Sequence, residues 1–89
     1  MKAIISVIGA DSMGVIAKVS GKLFEMQINI EDISQTIMQN YFTMIMMVDM
    51  SKSKLPFNEV ADELKKLGKE IGMDIRIQSE SIFNAMHKI

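Results

Sequence analysis

The stretch Gly9–Ile30, GADSMGVIAKVSGKLFEMQINI, places a glycine-flanked polar loop before an amphipathic helix and ends where a strand begins, at an Asn-Ile pair. Apolar residues recur at helical spacing with charged residues on the other side, which predicts the first helix: Val15, Ile16, Val19, Leu23 and Met26. Gly21 lies inside this helix at a cost of about 1 kcal/mol relative to alanine, so we expect its backbone to approach a neighbouring element closely. The stretch offers backbone amides and polar side chains but no catalytic group.

Strands are predicted on both sides of this stretch. Residues Lys2–Ile8 are apolar and β-branched on both faces, as in a central strand, and Gly9 is expected to end that strand. A second strand begins near Ile28, but its apolar residues move from even to odd positions after residue 30. A shift of one residue turns the faces of a strand over, so we expect a bulge or bend near Glu31 and Asp32.

The second half of the chain adds a hairpin, a helix and a last strand. Gln39–Asn40 is a short turn signal because asparagine tolerates positive φ, so the second strand should form a hairpin with Tyr41–Met50. Apolar residues at helical spacing predict a helix over Phe57–Ile71, which Gly72 can end. Residues 73–80 alternate apolar and polar side chains, as in a half-solvated fourth strand.

The order β-α-β-β-α-β predicts an α+β fold, the ferredoxin-like plait, with two helices on one face of a four-stranded antiparallel sheet. Right-handed crossovers give the strand order 4-1-3-2, so the second and fourth strands are edges. We expect one domain over residues 1–89, with a core of about 1–80 and a tail of 81–89. Ile82, Met86 and Ile89 have helical spacing, which predicts a short C-terminal helix in that tail.

Composition narrows the classes of function. With 89 residues and 48% hydrophobic content, the chain can form one modest core, and oligomerisation would help its stability. With a formal net charge of -1, the chain has no excess of positive charge to attract nucleic acid or an anionic membrane, and we expect neither as a partner. The absence of cysteine removes thiol nucleophiles and thiolate metal sites. The N-terminal MKAIISVIGAD is too short and strand-like for a signal peptide, so we expect a cytoplasmic protein.

The sequence lacks the residues needed for three functions that this fold commonly performs. RNA-binding modules stack bases on aromatic residues of the first and third strands, where only Tyr41 and Phe42 are found. An acylphosphatase-like enzyme needs an arginine near the first loop, but the only arginine, Arg76, is in the fourth strand. Metal chaperones of this topology use a cysteine pair. We therefore predict no catalytic residue, no cofactor and no metal site.

Residues of the first loop, the first helix and the second strand form one recognisable pattern: Gly9, Asp11, Gly14, Val15, Ile16, Val19, Ser20 and the segment Asn29–Ile33. Through these residues the chain resembles the ACT domain, a small-molecule-sensing regulatory module, and in particular free-standing single-ACT proteins of uncharacterised role. It is also similar to the ACT segments of glycine-cleavage transcriptional regulators and of formyltetrahydrofolate deformylases. The resemblance covers essentially the whole chain before the tail, although Met13 stands where many ACT loops carry proline, which predicts a less rigid loop.

The resemblance implies that a regulatory, non-enzymatic domain senses an amino acid or similar small metabolite. Unpaired amides at the start of the first helix, near Gly14, favour a carboxylate. Asn29 carries a side-chain amide that both donates and accepts hydrogen bonds, and Ile30 and Ile33 would form an apolar wall. The predicted ligand-binding residues are Asp11, Ser12, Met13, Gly14, Val15, Asn29, Ile30 and Ile33.

These two polar half-sites cannot hold one ligand within one chain. The helix between them, about 13 residues at roughly 1.5 Å each, carries Asn29 about 20 Å to the opposite end of the sheet. Antiparallel pairing of two second strands about a two-fold axis would bring Asn29 of one subunit beside the first loop of the other. ACT domains are known for this arrangement. We expect a homodimer through the second strand and the first helix, with a small-molecule ligand between subunits and a separate effector protein as a further partner.

The candidate binding residues also have purely structural interpretations. Asp11 and Ser12 can cap the first helix, Gly14 can serve tight packing or loop geometry, and Asn29 can lead the chain into the strand. At the level of the whole chain, the alternative function is a protein–protein interaction module that binds no small molecule.

Other residue groups favour structural roles. The ten methionines suit the core or an interface better than a metal site, because no stronger ligand accompanies them. Glu59, Asp62 and Glu63 are typical of a solvated helix face. His87, the only histidine, lies in a polar tail without an acid or nucleophile nearby in sequence.

Overall fold

The computed structural model describes residues 1–10 and 13–82, with a four-stranded antiparallel sheet and two main helices. The strand order is β2-β3-β1-β4, so the predicted ferredoxin-like plait with order 4-1-3-2 is confirmed. The predictions for Asp11, Ser12 and the tail beyond residue 82 lie outside the described residues. In chain order the elements are β1 (Lys2–Ala10), α1 (Val15–Glu25), β2 (Asn29–Met38), β3 (Tyr41–Asp49), α2 (Phe57–Ile71) and β4 (Met73–Ser79).

The core lies between the sheet and the helices, because every second residue of each central strand faces the helices. Met44 and Met46 of β3 are fully buried there and fill the core as predicted, whereas Met1 and Met13 are exposed. The residues that complete this core include Ala3, Ile5, Val7, Val15, Val19, Leu23, Phe42, Val48, Val60, Leu64, Met73 and Ile75. The opposite, helix-free face leaves Ile8, Tyr41 and Ile45 exposed.

β1 extends two residues beyond its predicted end. Gly9 pairs with Phe42 of β3 and with Met73 of β4, and the strand continues to Ala10, so the prediction that Gly9 ends β1 was wrong. A Cβ atom at Gly9 would lie 2.6 Å from Met73 Sδ and 2.9 Å from the carbonyl oxygen of Gly72. Glycine at this position therefore permits the close approach of β4.

The internal glycines of the two helices have opposite surroundings. A Cβ atom at Gly21 of α1 would meet nothing within 4 Å, so the prediction of close packing there was wrong. A Cβ atom at Gly68 of α2 would lie 2.5 Å from the carbonyl oxygen of Met73. Gly72 ends α2 at φ 72° and donates its N–H to the Gly68 carbonyl, as predicted.

The predicted bulge in β2 is confirmed. Ile30 pairs with Val48 and Asp32 with Met47, so Glu31 is the extra residue that shifts the register. Because of this extra residue, Ile30 and Ile33 lie on the same, helix-facing side of the sheet, although they are three positions apart.

The β2–β3 hairpin is also confirmed, since Met38 pairs with Tyr41 across the two-residue turn. The residue with positive φ is Gln39, at 56°, and not the neighbouring asparagine on which the prediction depended. Beyond β4, residues 80–82 are helical, and the Ile82 N–H donates to Ser79 Oγ at 3.3 Å. A helix therefore begins where the short C-terminal helix was predicted. None of the helices in the described ranges has the length and apolar character needed to cross a lipid bilayer.

Candidate functional site

The first half-site is the turn that leads from β1 into α1. Gly14 is the residue that precedes the helix, at φ 82°, and its carbonyl accepts the Lys18 N–H at 3.0 Å. The backbone amides of Val15, Ile16 and Ala17 lie in the first turn, where an α-helix has no carbonyl of its own to accept from them. They have no acceptor among the described residues. Gly14 has no side chain to cap them. These amides and the helix dipole favour an anion such as a carboxylate.

The predicted residues of this turn have different exposures. Met13 is 95% exposed, whereas the Val15 side chain is buried in the core, so Val15 can offer a ligand only its backbone amide. Gly14 is the residue at the cap position, and the capping interpretation of Asp11 and Ser12 lies outside the described residues.

Lys18 is a candidate that the sequence interpretation missed. A Cβ atom at Gly14 would lie 4.0 Å from Lys18 Cε, so the lysine stem lies beside the turn. Its side chain is exposed, and no carboxylate within the described ranges pairs with it. The signal was the spacing of four residues from Gly14, which places both residues on one side of the helix start.

The second half-site surrounds Asn29 at the opposite end of the sheet. Asn29 pairs with Asp49, which pairs with Lys2, so the three side chains share the helix-free face. Lys2 Nζ lies 2.9 Å from Glu31 Oε1, and this hydrogen bond raises the pKa of Lys2. The Ser51 N–H donates to Asp49 Oδ1 at 2.9 Å, and this bond lowers the pKa of Asp49. Asn29 thus begins β2 beside one ammonium group and two carboxylates.

The strand register separates the two half-sites within one chain. Asp49 pairs with Lys2 at one end of β1, and Tyr41 pairs with Ala10 at the other end. Eight steps along a strand at about 3.3 Å each amount to roughly 26 Å. The prediction that Asn29 lies at the opposite end of the sheet from the first loop is therefore confirmed.

β2 is the edge strand that runs between these two ends. Ile30 is half-buried against the core, whereas Ile33 and Ile37 are exposed on the helix-facing side. The backbone groups of β2 that point away from β3 have no strand partner among the described residues. The edge strand therefore exposes both backbone hydrogen-bonding groups and apolar side chains that no strand of the described residues covers.

A groove of about 560 Å³ separates α1 from α2 and has paired charges on its rim. Lys22 Nζ lies 2.9 Å from Glu63 Oε1, and Lys66 Nζ lies 3.3 Å from Glu63 Oε2. Hydrogen bonds from the two lysines lower the pKa of Glu63, and the bond to Glu63 raises the pKa of Lys22. Across residues 1–10 and 13–82, no three or more His, Asp or Glu residues are grouped so that they could hold a metal ion.

Comparison with known proteins gives a family for this chain. The family model described as the ACT domain matches residues 2–78. A UPF0237 protein from Clostridium acetobutylicum is 58% identical over 89 residues, which is 100% of both chains. The solved structure of an ACT domain protein from Streptococcus pneumoniae is 46% identical, with a TM-score of 0.84 over 98% of each chain.

Two more distant structures share the fold. A formyltetrahydrofolate deformylase from Pseudomonas putida has a TM-score of 0.79 at 12% identity, over 89% of this chain and 29% of that one. A protein assigned as a glycine cleavage system transcriptional repressor has a TM-score of 0.73 at 22% identity, over 86% of this chain and 44% of that one. Both resemblances drawn from the sequence are therefore found in the fold.

Proposed function

The chain belongs to the ACT domain family, and from this premise we propose that it is a ligand-sensing regulatory domain that binds an amino acid or similar small metabolite at a homodimer interface. ACT domains are regulatory domains that bind small molecules. In this proposal residues 1–89 act as one domain with no catalytic role. The observation that supports this proposal most is that the amides after Gly14, which have no acceptor among the described residues, and Asn29 lie at opposite ends of the sheet. The edge strand β2 between these ends has no strand partner in the described part of the chain.

Pairing of two copies through β2 would join these half-sites. Antiparallel β2 strands related by a two-fold axis reverse the ends of the sheet, so the Asn29 end of one subunit meets the first loop of its partner. The exposed Ile33 and Ile37 would be covered by the same contact. The result is an eight-stranded sheet with two equivalent sites.

Each site would recognise the two charged groups of an amino acid separately. The amides after Gly14 and the Lys18 ammonium would hold the carboxylate from the helix layer. The side chain of Asn29 of the partner subunit lies on the helix-free face, so its amide would reach the polar end around the edge of the sheet, at the start of β2. Ile30 and Ile33 of the partner subunit would form the apolar wall beside it.

The first experiment is thermal denaturation with a panel of amino acids at millimolar concentration. A ligand that binds the native state must raise the melting temperature, so we expect at least one amino acid to do so. If none does, the ligand part of the proposal is wrong.

Substitutions then test the two half-sites. Lys18→Gln and Asn29→Ala should each weaken binding by roughly tenfold, since each removes one polar contact to the ligand. Lys65→Gln and Asn58→Ala change an exposed lysine and an exposed asparagine of α2 and should leave the affinity unchanged. Equal affinity in all four variants would remove both residues from the site.

The second candidate function is docking of a separate effector protein without a small molecule. The observation that favours it is the helix-free face, where Ile8, Tyr41 and Ile45 are exposed together on adjacent strands. Substitution of Ile45 by a charged residue would abolish such docking but would not change an amino-acid response.

A further inference from the structure

The outer side of α1 carries an apolar strip that the fold of one chain does not use. Ile16, Ser20 and Phe24 recur every four residues and therefore share one side of the helix. Phe24 is 83% exposed, and only Met13 is more exposed among the large apolar residues of the described ranges. The Ser20 hydroxyl donates to the Ile16 carbonyl at 2.7 Å, so it adds no free donor to the strip.

The strip can be located by elimination, because the other two sides of α1 have known neighbours. Val19 and Leu23 face the core, and Gly21 and Lys22 line the groove toward α2. The strip lies on the remaining side, above the edge strand β2, where Ile33 and Ile37 are exposed. The strip and these two isoleucines are therefore exposed on the same, helix-bearing side of the sheet.

The two most exposed large apolar side chains of the described residues lie at opposite ends of α1. Met13 precedes the first turn, and Phe24 is in the last turn, about 16 Å away along the helix axis. α1 runs antiparallel to β2, because β1 leads to its start and its end leads into Asn29. A two-fold axis through the β2 edge therefore places Phe24 of each subunit beside the Met13–Gly14 turn of the other.

We propose that Phe24 of the partner subunit covers the ligand bound at the Gly14 turn and so selects amino acids with an apolar side chain. This inference rests on the proposed function and adds a residue and a ligand class to it. The carboxylate remains at the helix amides. The ligand side chain lies between the ring of the partner's Phe24 on one side and Ile16 and the partner's Ile33 on the other. A polar ligand side chain would lose its water there, and the strip would offer it no free donor and a single acceptor, the Ser20 oxygen.

Calorimetric titration with L-leucine and L-serine tests the selectivity. The dimer should bind L-leucine at least tenfold more tightly than L-serine. Phe24→Ala should reduce that preference to about twofold or less, and Phe24→Leu should restore most of it. Tyr41→Ala removes an exposed aromatic residue from the helix-free face and should preserve the preference.

A fluorescent variant tests the placement independently of ligand choice. The chain contains no tryptophan, so Phe24→Trp introduces a single reporter. Its emission should move to shorter wavelength on dimerisation and again on addition of L-leucine, and it should stay at the solvent-exposed wavelength in an Ile33→Lys background. The same emission in monomer and dimer, or an unchanged leucine preference in Phe24→Ala, would overturn the inference. Failure of every amino acid to bind would instead overturn the proposed function.

Discussion

At the scale of single residues, alanine substitutions of the two glycines inside helices should have opposite effects on stability. Gly68→Ala should destabilise the protein by about 1–3 kcal/mol, because the new Cβ would lie 2.5 Å from the Met73 carbonyl oxygen. Gly21→Ala should stabilise it by about 0.5–1 kcal/mol, since its Cβ would enter open space and alanine favours the helix. Urea denaturation at one protein concentration measures both.

These two variants control for each other, because each replaces glycine by alanine within a helix. A destabilising Gly21→Ala would mean that something fills the space beside α1 in solution, such as a second copy of the chain. A neutral Gly68→Ala would mean that α2 and β4 can separate locally at little cost.

At the scale of elements, the ion pair between Lys22 and Glu63 joins α1 to α2 and predicts a pH-dependent stability. Lysine hydrogen bonds lower the folded pKa of Glu63 below its ordinary 4.5, so the stabilisation is present above that value and is lost as the pH falls through the lowered pKa. The raised pKa of Lys22 extends the contribution upward, until the pH rises above the ordinary 10.5 and through the raised value. Glu63→Gln should therefore be less stable than the wild type near pH 7, and the difference should close in acid.

The matched control for this prediction is Asp62→Asn, which changes an exposed carboxylate of the same helix. No ion pair of Asp62 is present in the described part of the chain. Its unfolding free energy should follow that of the wild type across the same pH range. A constant difference between Glu63→Gln and the wild type down to strong acid would contradict the role of the ion pair.

The elements also show which features the sequence could predict. Periodicity was enough to predict α2 and an irregularity near Glu31, because a slip in apolar phase requires a bulge or a bend when one face of a strand is buried. The continuation of β1 through Gly9 depends on the approach of Met73, a contact 64 positions away along the chain. The open space beside Gly21 likewise depends on how α2 packs. Such long-range contacts are absent from a local pattern.

The candidate site likewise combines features that the sequence pattern predicts with features that depend on the folded structure. The unpaired amides after Gly14 follow from the start of any helix, and the separation of Asn29 follows from the length of α1. Lys18 was missed because its placement beside the turn depends on how its flexible stem folds back. The helix-free orientation of Asn29 depends on its pairing with Asp49, which only the register reveals.

At the scale of the whole molecule, the proposed dimer can be disrupted at the free edge without damage to the fold. Ile33 is 42% exposed, so Ile33→Lys should leave the monomer folded. In a two-fold contact that sets Ile33 of one subunit against Ile37 of the other, two lysines would be partly buried without acidic partners. The dimer dissociation constant should rise by roughly a hundredfold or more, because an unpaired buried charge is costly. Sedimentation velocity at micromolar concentration measures it.

Ile45→Lys provides the whole-molecule control, because Ile45 is 44% exposed but lies on the helix-free face of β3. It should remain dimeric and keep its response to amino acids, whereas Ile33→Lys should lose both together, since neither half-site alone holds both ends of the ligand. A monomeric Ile33→Lys that still binds an amino acid with wild-type affinity would show that one chain holds the whole site. A dimeric Ile33→Lys would place the interface on another surface, and the half-sites at Gly14 and Asn29 would then have no ligand in common.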